Sequence, residues 1–261
     1  MGRRLAAVFA HPDDDTFAVG GIVAGGELDY TVIVATSGEA GLISDPALAT
    51  QDNLAGVREA EEREALRELG VPNASVHFLR YPDGGLKEVP RDEVVQRVAG
   101  LLGEAQPHVV VTFGPEGITQ HEDHIAIGQA TTEAFHQARN EAGEGAFLRL
   151  FYNAIPRSEI DQFWLAVRAE GIDMGDPEGP FMPRGVPDHT ITARVEVTEV
   201  WETKLEALRA HRTQAGELAA LPMSIQKQFL GIEWFVQAWP PITNPQGPQL
   251  SGLFEGLDQT G

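Results

Sequence analysis

Apolar positions fall along this chain in two alternating rhythms. Short apolar runs cover Leu5–Ala10, Tyr30–Thr36, Ser75–Arg80, Val109–Phe113 and Leu148–Ala154. The run Tyr-Thr-Val-Ile-Val-Ala-Thr from Tyr30 to Thr36 leaves almost no face polar, as a strand covered on both sides requires. Between the runs lie longer stretches with helical character: Phe17–Gly26, Leu54–Leu69, Pro90–Leu102 and Asp123–Asn140. The second is closed by Gly70 and followed by Pro72, and the third has Pro in its first turn. Strand and helix alternating at this spacing predict βαβ units, hence an α/β, Rossmann-like doubly wound, mostly parallel sheet. The rest is less regular and reads as C-terminal additions. A helix is expected over Arg157–Glu170, a half-exposed strand over Thr190–Val197 and a helix over Val200–Arg212. The Gly- and Pro-rich stretch from Gly171 to Pro187 is long enough to be a lid, with Asp188 and His189 closing it. Residues 240–261 read as an extended tail.

A chain of 261 residues with this pattern is expected to form one domain over 1–261. Its formal charge of -20 argues against a nucleic-acid or anionic-membrane partner, since both need basic surface. It has no cysteine, so disulfides, thiolate metal ligands and a cysteine nucleophile are excluded. The basic start Met1-Gly2-Arg3-Arg4 precedes an apolar run that stops at His11, which suits a strand rather than a signal peptide. No stretch approaches the roughly 18 apolar residues of a spanning helix. A cytoplasmic protein with a small-molecule partner is expected, and the tail leaves a homo-oligomer open.

Two clusters carry the chemistry. His11-Pro12-Asp13-Asp14-Asp15 follows the first strand, and His121-Glu122-Asp123-His124 follows the fourth. Ligands of open parallel sheets collect beyond the carboxyl ends of strands. Capping a helix needs one acidic residue, not three behind a histidine, and packed carboxylates repel unless a cation offsets them. The clusters offer His, Asp and His to a metal with further groups left over, and three protein ligands with one open position is the catalytic zinc pattern. Asp123 is placed to orient a histidine through its second ring nitrogen. His77, His108 and His136 stand apart from acidic company and read as structural or surface groups.

These motifs resemble the LmbE-like, or PIG-L, N-acetylglucosaminyl deacetylase family, in which Ala-His-Pro-Asp-Asp-Glu follows the first strand and a His-Pro-Asp-His-type segment the fourth. Here they read Ala10-His11-Pro12-Asp13-Asp14-Asp15 and His121-Glu122-Asp123-His124. Gly20-Gly21, Thr36-Ser37-Gly38-Glu39-Ala40-Gly41, the helix from Arg58 to Gly70, Tyr81-Pro82-Asp83-Gly84 and Lys204 through Gln214 extend the similarity over about residues 4 to 215. The resemblance implies one zinc ion per chain, or another divalent metal, held by His11, Asp14 and His124. It implies Asp13 as general base, a protonated His121 stabilising the oxyanion with Asp123 tuning it, and Arg58 and Asp83 as substrate contacts. The implied activity is zinc-dependent removal of acetyl from an N-acetylated amino sugar or its glycoside. Two positions depart from the pattern: Asp15 replaces a Glu, and Thr119 stands where some relatives place a tyrosine.

Two other readings use the same residues. Two histidines and a carboxylate also hold Fe(II) in oxygenases, which usually ride on double-stranded β scaffolds. A non-catalytic metal- or ligand-binding module would keep the pocket without turnover. A dinucleotide enzyme is disfavoured, because the turn after the first strand has carboxylates where a Gly-x-Gly-x-x-Gly loop would hold pyrophosphate.

Overall fold

The five apolar runs become the five parallel strands of one sheet. A computed structural model describes residues 2–214, 221–243 and 245–257. The strands are β1 (Arg3–Phe9), β2 (Leu28–Thr36), β3 (Ser75–Tyr81), β4 (Val109–Phe113) and β5 (Arg149–Asn153), joined by β6 (Ala193–Glu196) and β7 (Ile232–Trp239). The sheet order is β3-β2-β1-β4-β5-β7-β6. β1 pairs parallel with β2 and with β4, in register Leu5 with Tyr30 and Leu5 with Val109. None of the residues from Leu5 to Ala10 is more than 1% exposed, which explains why the run carries no polar side chain.

Helices α1 (Asp14–Ala24), α2 (Leu54–Glu68), α3 (Arg91–Ala105), α4 (Gly117–Gln120), α5 (Glu122–Glu141), α6 (Arg157–Ala169), α7 (Trp201–Ala210) and α8 (Met223–Leu230) complete the order. α3 packs on α5, and α1 and α2 pack on α7. Right-handed crossovers put the helices leading leftward from β1 on one face and those leading rightward through β4 on the other. The chain reverses direction between β1 and β4, so the loops after these two strands open side by side. That is the switch point where open α/β sheets gather their ligands.

The expected helices and parallel strands form, with ends shifted by up to about three residues, as fraying and capping allow. The C-terminal part differs more. β7 pairs antiparallel with both β5 and β6, and α8 precedes it; neither element was expected. The strand expected over Thr190–Val197 shortens to β6. Part of the 240–261 tail lies outside the described residues; the rest wraps the sheet edge. The Gln249 and Leu250 amides donate to the Thr192 carbonyl, and Leu253 and Phe254 are buried in the main core.

A buried ion pair ties the two parts together. Lys204 Nζ on α7 donates to Glu233 Oε1 on β7 and to the Phe17 carbonyl of α1, both at 2.8 Å. The Glu233 carboxylate also accepts the Gly21 and Ile22 amides, at 2.7 and 3.1 Å. α1 fits here because residue 21 has no side chain. A Cβ on Gly21 would stand 2.5 Å from Val197 Cγ2.

Candidate active site

Both clusters reach one cavity. Asp13 takes the N-cap position of α1 at φ 113°, yet its side chain makes no capping bond. The acidic run is therefore not explained by helix capping. Arg58 on α2, 4% exposed, clamps this turn: its guanidinium donates to the Pro12 and Gly38 carbonyls at 2.8 and 3.0 Å and lies 3.4 Å from Asp13 Oδ2. Gly38 has φ +67°, and a Cβ there would meet Arg58 Nη1 at 2.3 Å. The Thr36–Gly41 motif makes room for the clamp.

The second cluster is set by a strained loop. Gly117, Ile118 and Gln120 all have positive φ, which for the β-branched Ile118 is costly. The return is the Gly117 carbonyl, which faces His124 Nδ1 at 2.9 Å. A carbonyl only accepts, so Nδ1 carries the proton and Nε2 is left with its lone pair. His124 also stacks on Phe113, with ring centroids 4.0 Å apart.

Acceptor atoms of three residues then converge. His11 Nδ1 lies 3.2 Å from His124 Nε2 and 3.5 Å from Asp14 Oδ2, and His124 Nε2 lies 3.6 Å from Asp14 Oδ1. On the far side of the ring, His11 Nε2 faces Asp83 Oδ1 at 3.0 Å and Asp123 Oδ2 at 3.6 Å, which keeps its proton there and leaves Nδ1 bare. Two imidazole lone pairs and a carboxylate pointing at one another repel unless a cation sits among them. Ligands about 2.1 Å from a tetrahedral ion lie about 3.4 Å apart, close to the separation of the two nitrogens and to that of each nitrogen from one Asp14 oxygen. The donor set fits a small divalent cation. His121 completes a triangle of imidazoles, its centroid 4.8 Å from that of His11 and 5.1 Å from that of His124, and its ring nitrogens are near enough to join a metal group.

The charges follow the packing. Burial works against a proton on His11, but hydrogen bonds to Asp123, Asp14 and Asp83 outweigh it and lift its pKa well above the usual imidazole range, so Nδ1 offers its lone pair only to a cation that displaces the second proton. Burial and the neighbouring His11 charge lower that of His124, against Asp14. Burial raises Asp14, but His124 and His11 overcome it and hold the group well below the ordinary carboxylate range. Burial, with Asp14 and Asp15 beside it, pushes Asp13 up to about 7 against Arg58 and His11.

Several expected contacts fall elsewhere. The Asp123 carboxylate does not reach His121; it accepts the Gly84 and Leu86 amides at 2.7 and 3.0 Å and faces His11. His121 instead caps α5, its Nδ1 accepting the Asp123 amide at 3.1 Å. Nδ1 is then an acceptor, which leaves Nε2 as the nitrogen able to donate. The two residues lie two apart at a helix start, so their side chains diverge. Asp83 accepts the Ala40 amide at 2.8 Å while facing His11. Arg58 and Asp83 both line the cavity. Thr119 lines it too, and no tyrosine does among the described residues.

Asp15 is 1% exposed and accepts the Tyr30 hydroxyl at 2.9 Å, beneath the cavity rather than in it. Glu62, fully buried, accepts the Asp13 amide at 3.3 Å, and His211 Nε2 lies 3.9 Å from it. Sequence reasoning missed Glu62, because an acid on a helix of alternating charge reads as solvated. His108 accepts the Arg4 amide and His136 packs edge-on to Trp239; neither they nor His77 line the cavity. Asp188 accepts the Ser158 amide and ends its loop; it and His189 also lie outside the cavity lining.

Comparison with known proteins identifies the family. Residues 6–135 match the family model described as PIG-L, GlcNAc-PI de-N-acetylase. A 1D-myo-inositol 2-acetamido-2-deoxy-alpha-D-glucopyranoside deacetylase of Rhodococcus erythropolis is 34% identical over 90% of this chain and 91% of its own length. Among solved structures, the N,N'-diacetylchitobiose deacetylase of Pyrococcus horikoshii superposes with TM-score 0.58 at 23% identity, covering 90% of this chain and 84% of that one. The 4-carboxy-2-hydroxymuconate hydratase GalB of Pseudomonas putida superposes with TM-score 0.60 at 19% identity, covering 92% and 98%. The fold thus hosts more than one chemistry, and function rests on the site. No helix among the described residues is long and apolar enough to cross a membrane. The chain belongs to the PIG-L family, the LmbE-like deacetylases.

Proposed function

We propose that this chain is a metal-dependent hydrolase, with zinc the expected ion, that removes acetyl from an N-acetylated amino-sugar glycoside. The observation that carries the reading is the convergence of His11 Nδ1, Asp14 and His124 Nε2 at 3.2 to 3.6 Å in a cavity also lined by Asp13 and His121. The named substrates of the curated relatives supply the sugar. The parallel α/β scaffold gives no support to an Fe(II) oxygenase, whose sites favour double-stranded β folds.

His11, Asp14 and His124 would hold the ion, which when bound supplies Lewis acidity for the amide carbonyl and a lowered pKa for water. Asp13, beside them in the cavity, accepts a proton from the attacking water. Arg58 and Glu62 fix the Asp13 turn from below, so the carboxylate need not reorganise. His121 directs Nε2–H at the carbonyl oxygen, where charge develops as the new C–O bond forms. Asp83 and Asp123 hold the His11 ring through Nε2. The C–N bond then breaks, and the proton held by Asp13 passes to the departing nitrogen, giving acetate and the free amine.

The test is metal analysis of the purified protein with amine release from N-acetylglucosamine derivatives. We expect about one divalent ion per chain. Asp14→Ala and His124→Ala should lose both ion and turnover. Full activity in an ion-free variant would overturn the reading.

A further inference from the structure

Phe181 stands in the Gly- and Pro-rich stretch after α6, in a conformation that costs the chain twice. Its φ is +63°, which a bulky side chain rarely adopts, and 66% of its surface is open. Burial therefore does not repay the strain, and strain of this kind persists where the surrounding structure imposes it. The ring meets His121, with centroids 5.5 Å apart and planes tilted by 39°.

The turn that carries Phe181 is tied into a knot. Arg184 Nη1 donates to the Pro177 carbonyl at 3.1 Å and to Glu178 Oε2 at 2.7 Å. Its Nη2 donates to the Glu178 and Gly179 carbonyls at 2.8 and 3.2 Å. One guanidinium thus closes residues 177–184 on themselves. The Arg184 amide then donates to the Ile118 carbonyl at 2.6 Å, in the strained loop that leads into His121. Behind it the Val186 amide donates to the Ile155 carbonyl and the Arg157 amide to the Val186 carbonyl, both at 2.8 Å. The tip is pinned on both sides, and its aromatic ring is delivered to the imidazole.

His121 has a use for that contact. The Asp123 amide fixes its Nδ1 at 3.1 Å, but one hydrogen bond leaves a ring free to pivot about it. A donor that pivots loses part of its effect, because charge in the transition state is stabilised by groups already in place. We infer that Phe181 is a positioning residue for His121, its ring holding the imidazole so that Nε2 stays aimed into the cavity. The inference rests on the deacetylase reading for what His121 does, and not for the holding of its ring.

The test is a double-replacement cycle in the zinc-loaded protein with methyl N-acetylglucosaminide as substrate. Phe181→Ala should lower kcat about tenfold, part of the 10²- to 10³-fold that a whole oxyanion donor is worth, with KM, metal content and melting temperature unchanged. Phe181→Tyr keeps the ring and should restore kcat. In a His121→Ala background, Phe181→Ala should cost nothing further. NMR relaxation at the Cε1–H of His121, a resonance identified by its loss in His121→Ala, reads the same point without turnover. Its order parameter should fall in Phe181→Ala and hold in Phe181→Tyr. A rise in KM at constant kcat would put Phe181 on the substrate and overturn the inference. An unchanged kcat in an active parent, an equal loss in both backgrounds, or a His121 ring no more mobile without Phe181 would also overturn it. A His121 ring that loosens in Phe181→Ala, in a parent that releases no amine, supports the inference and removes the deacetylase reading.

Discussion

The parallel half of the sheet and its antiparallel end contribute different things to one cavity. Strands β1 to β5 bring the titratable groups together: β1 and β4 sit side by side, and the loops beyond them carry His11, Asp13, Asp14, His121 and His124. The antiparallel end supplies Ile232 and Trp234 to the cavity wall and, through Glu233, one half of the ion pair that fastens α1. Chemistry is thus fixed by topology, whereas the shape of the cavity depends on an added hairpin that another chain of this fold could build differently. A replacement in the first region should change turnover and spare stability, and one in the second should do the reverse.

Asp13→Asn is the sharpest probe of the first region. It should retain the bound ion and lower kcat by about 10²- to 10⁴-fold, the usual worth of a positioned base. Its melting temperature should be no lower than that of the parent, because the buried carboxylate of Asp13 gains no capping bond. Metal content, kcat and thermal unfolding on one preparation check this. An unfolded or ion-free Asp13→Asn would mean that the turn is structural first.

Lys204→Met probes the joint. It strands Glu233, 3% exposed and surrounded by α1 and β7, and removing one partner of a buried pair costs about 3–5 kcal/mol. Adding Glu233→Leu should recover much of that loss. The ion should stay bound in the single variant under folding conditions, since Lys204 touches none of the three converging ligands. Denaturant unfolding with metal analysis tests both statements. Gly21→Ala should follow, costing about 1–3 kcal/mol as α1 shifts to relieve the contact with Val197 Cγ2.

The same division explains how far the sequence could be read. Strands buried on both faces leave continuous apolar runs, so β1, β2 and β4 were legible within two residues. β7 alternates half-buried and buried positions, and its Ile232-Glu233-Trp234 start mixes an acid into the pattern. Gly231 and Pro240 nevertheless bracket a run rich in Trp, Phe and Val, a strand signal that was present. The metal-capable cluster was legible because three acids behind a histidine have no cheaper structural use. The buried Glu62, Tyr30 and His211 beneath it were not, because burial of a polar side chain is decided by tertiary packing that local pattern does not carry.

His211 gives the smallest effect, and its sign separates packing from catalysis. It follows α7, is 2% exposed, and neither ring nitrogen has a hydrogen-bond partner among the described residues. Glu62 lies 3.9 Å away, and Arg58 and Asp14 act on it through space. Burial, helped by the Arg58 charge and opposed by Asp14, pushes its pKa down to about 3 from 6.5. The folded chain therefore keeps His211 neutral where the unfolded chain takes up a proton. The stability this group contributes is full above pH 6.5 and is lost progressively as pH falls toward about 3. Between pH 7 and pH 5 the parent should lose about 1–2 kcal/mol relative to His211→Asn, from urea unfolding at the two values. Asp13, Asp15 and Glu62 are present in both chains, so their own titration largely cancels in the difference. A parent that instead gains stability relative to His211→Asn as pH falls would mean that His211 is protonated in the folded protein. The base of the cavity would then hold a histidinium beside Glu62 in place of the neutral ring.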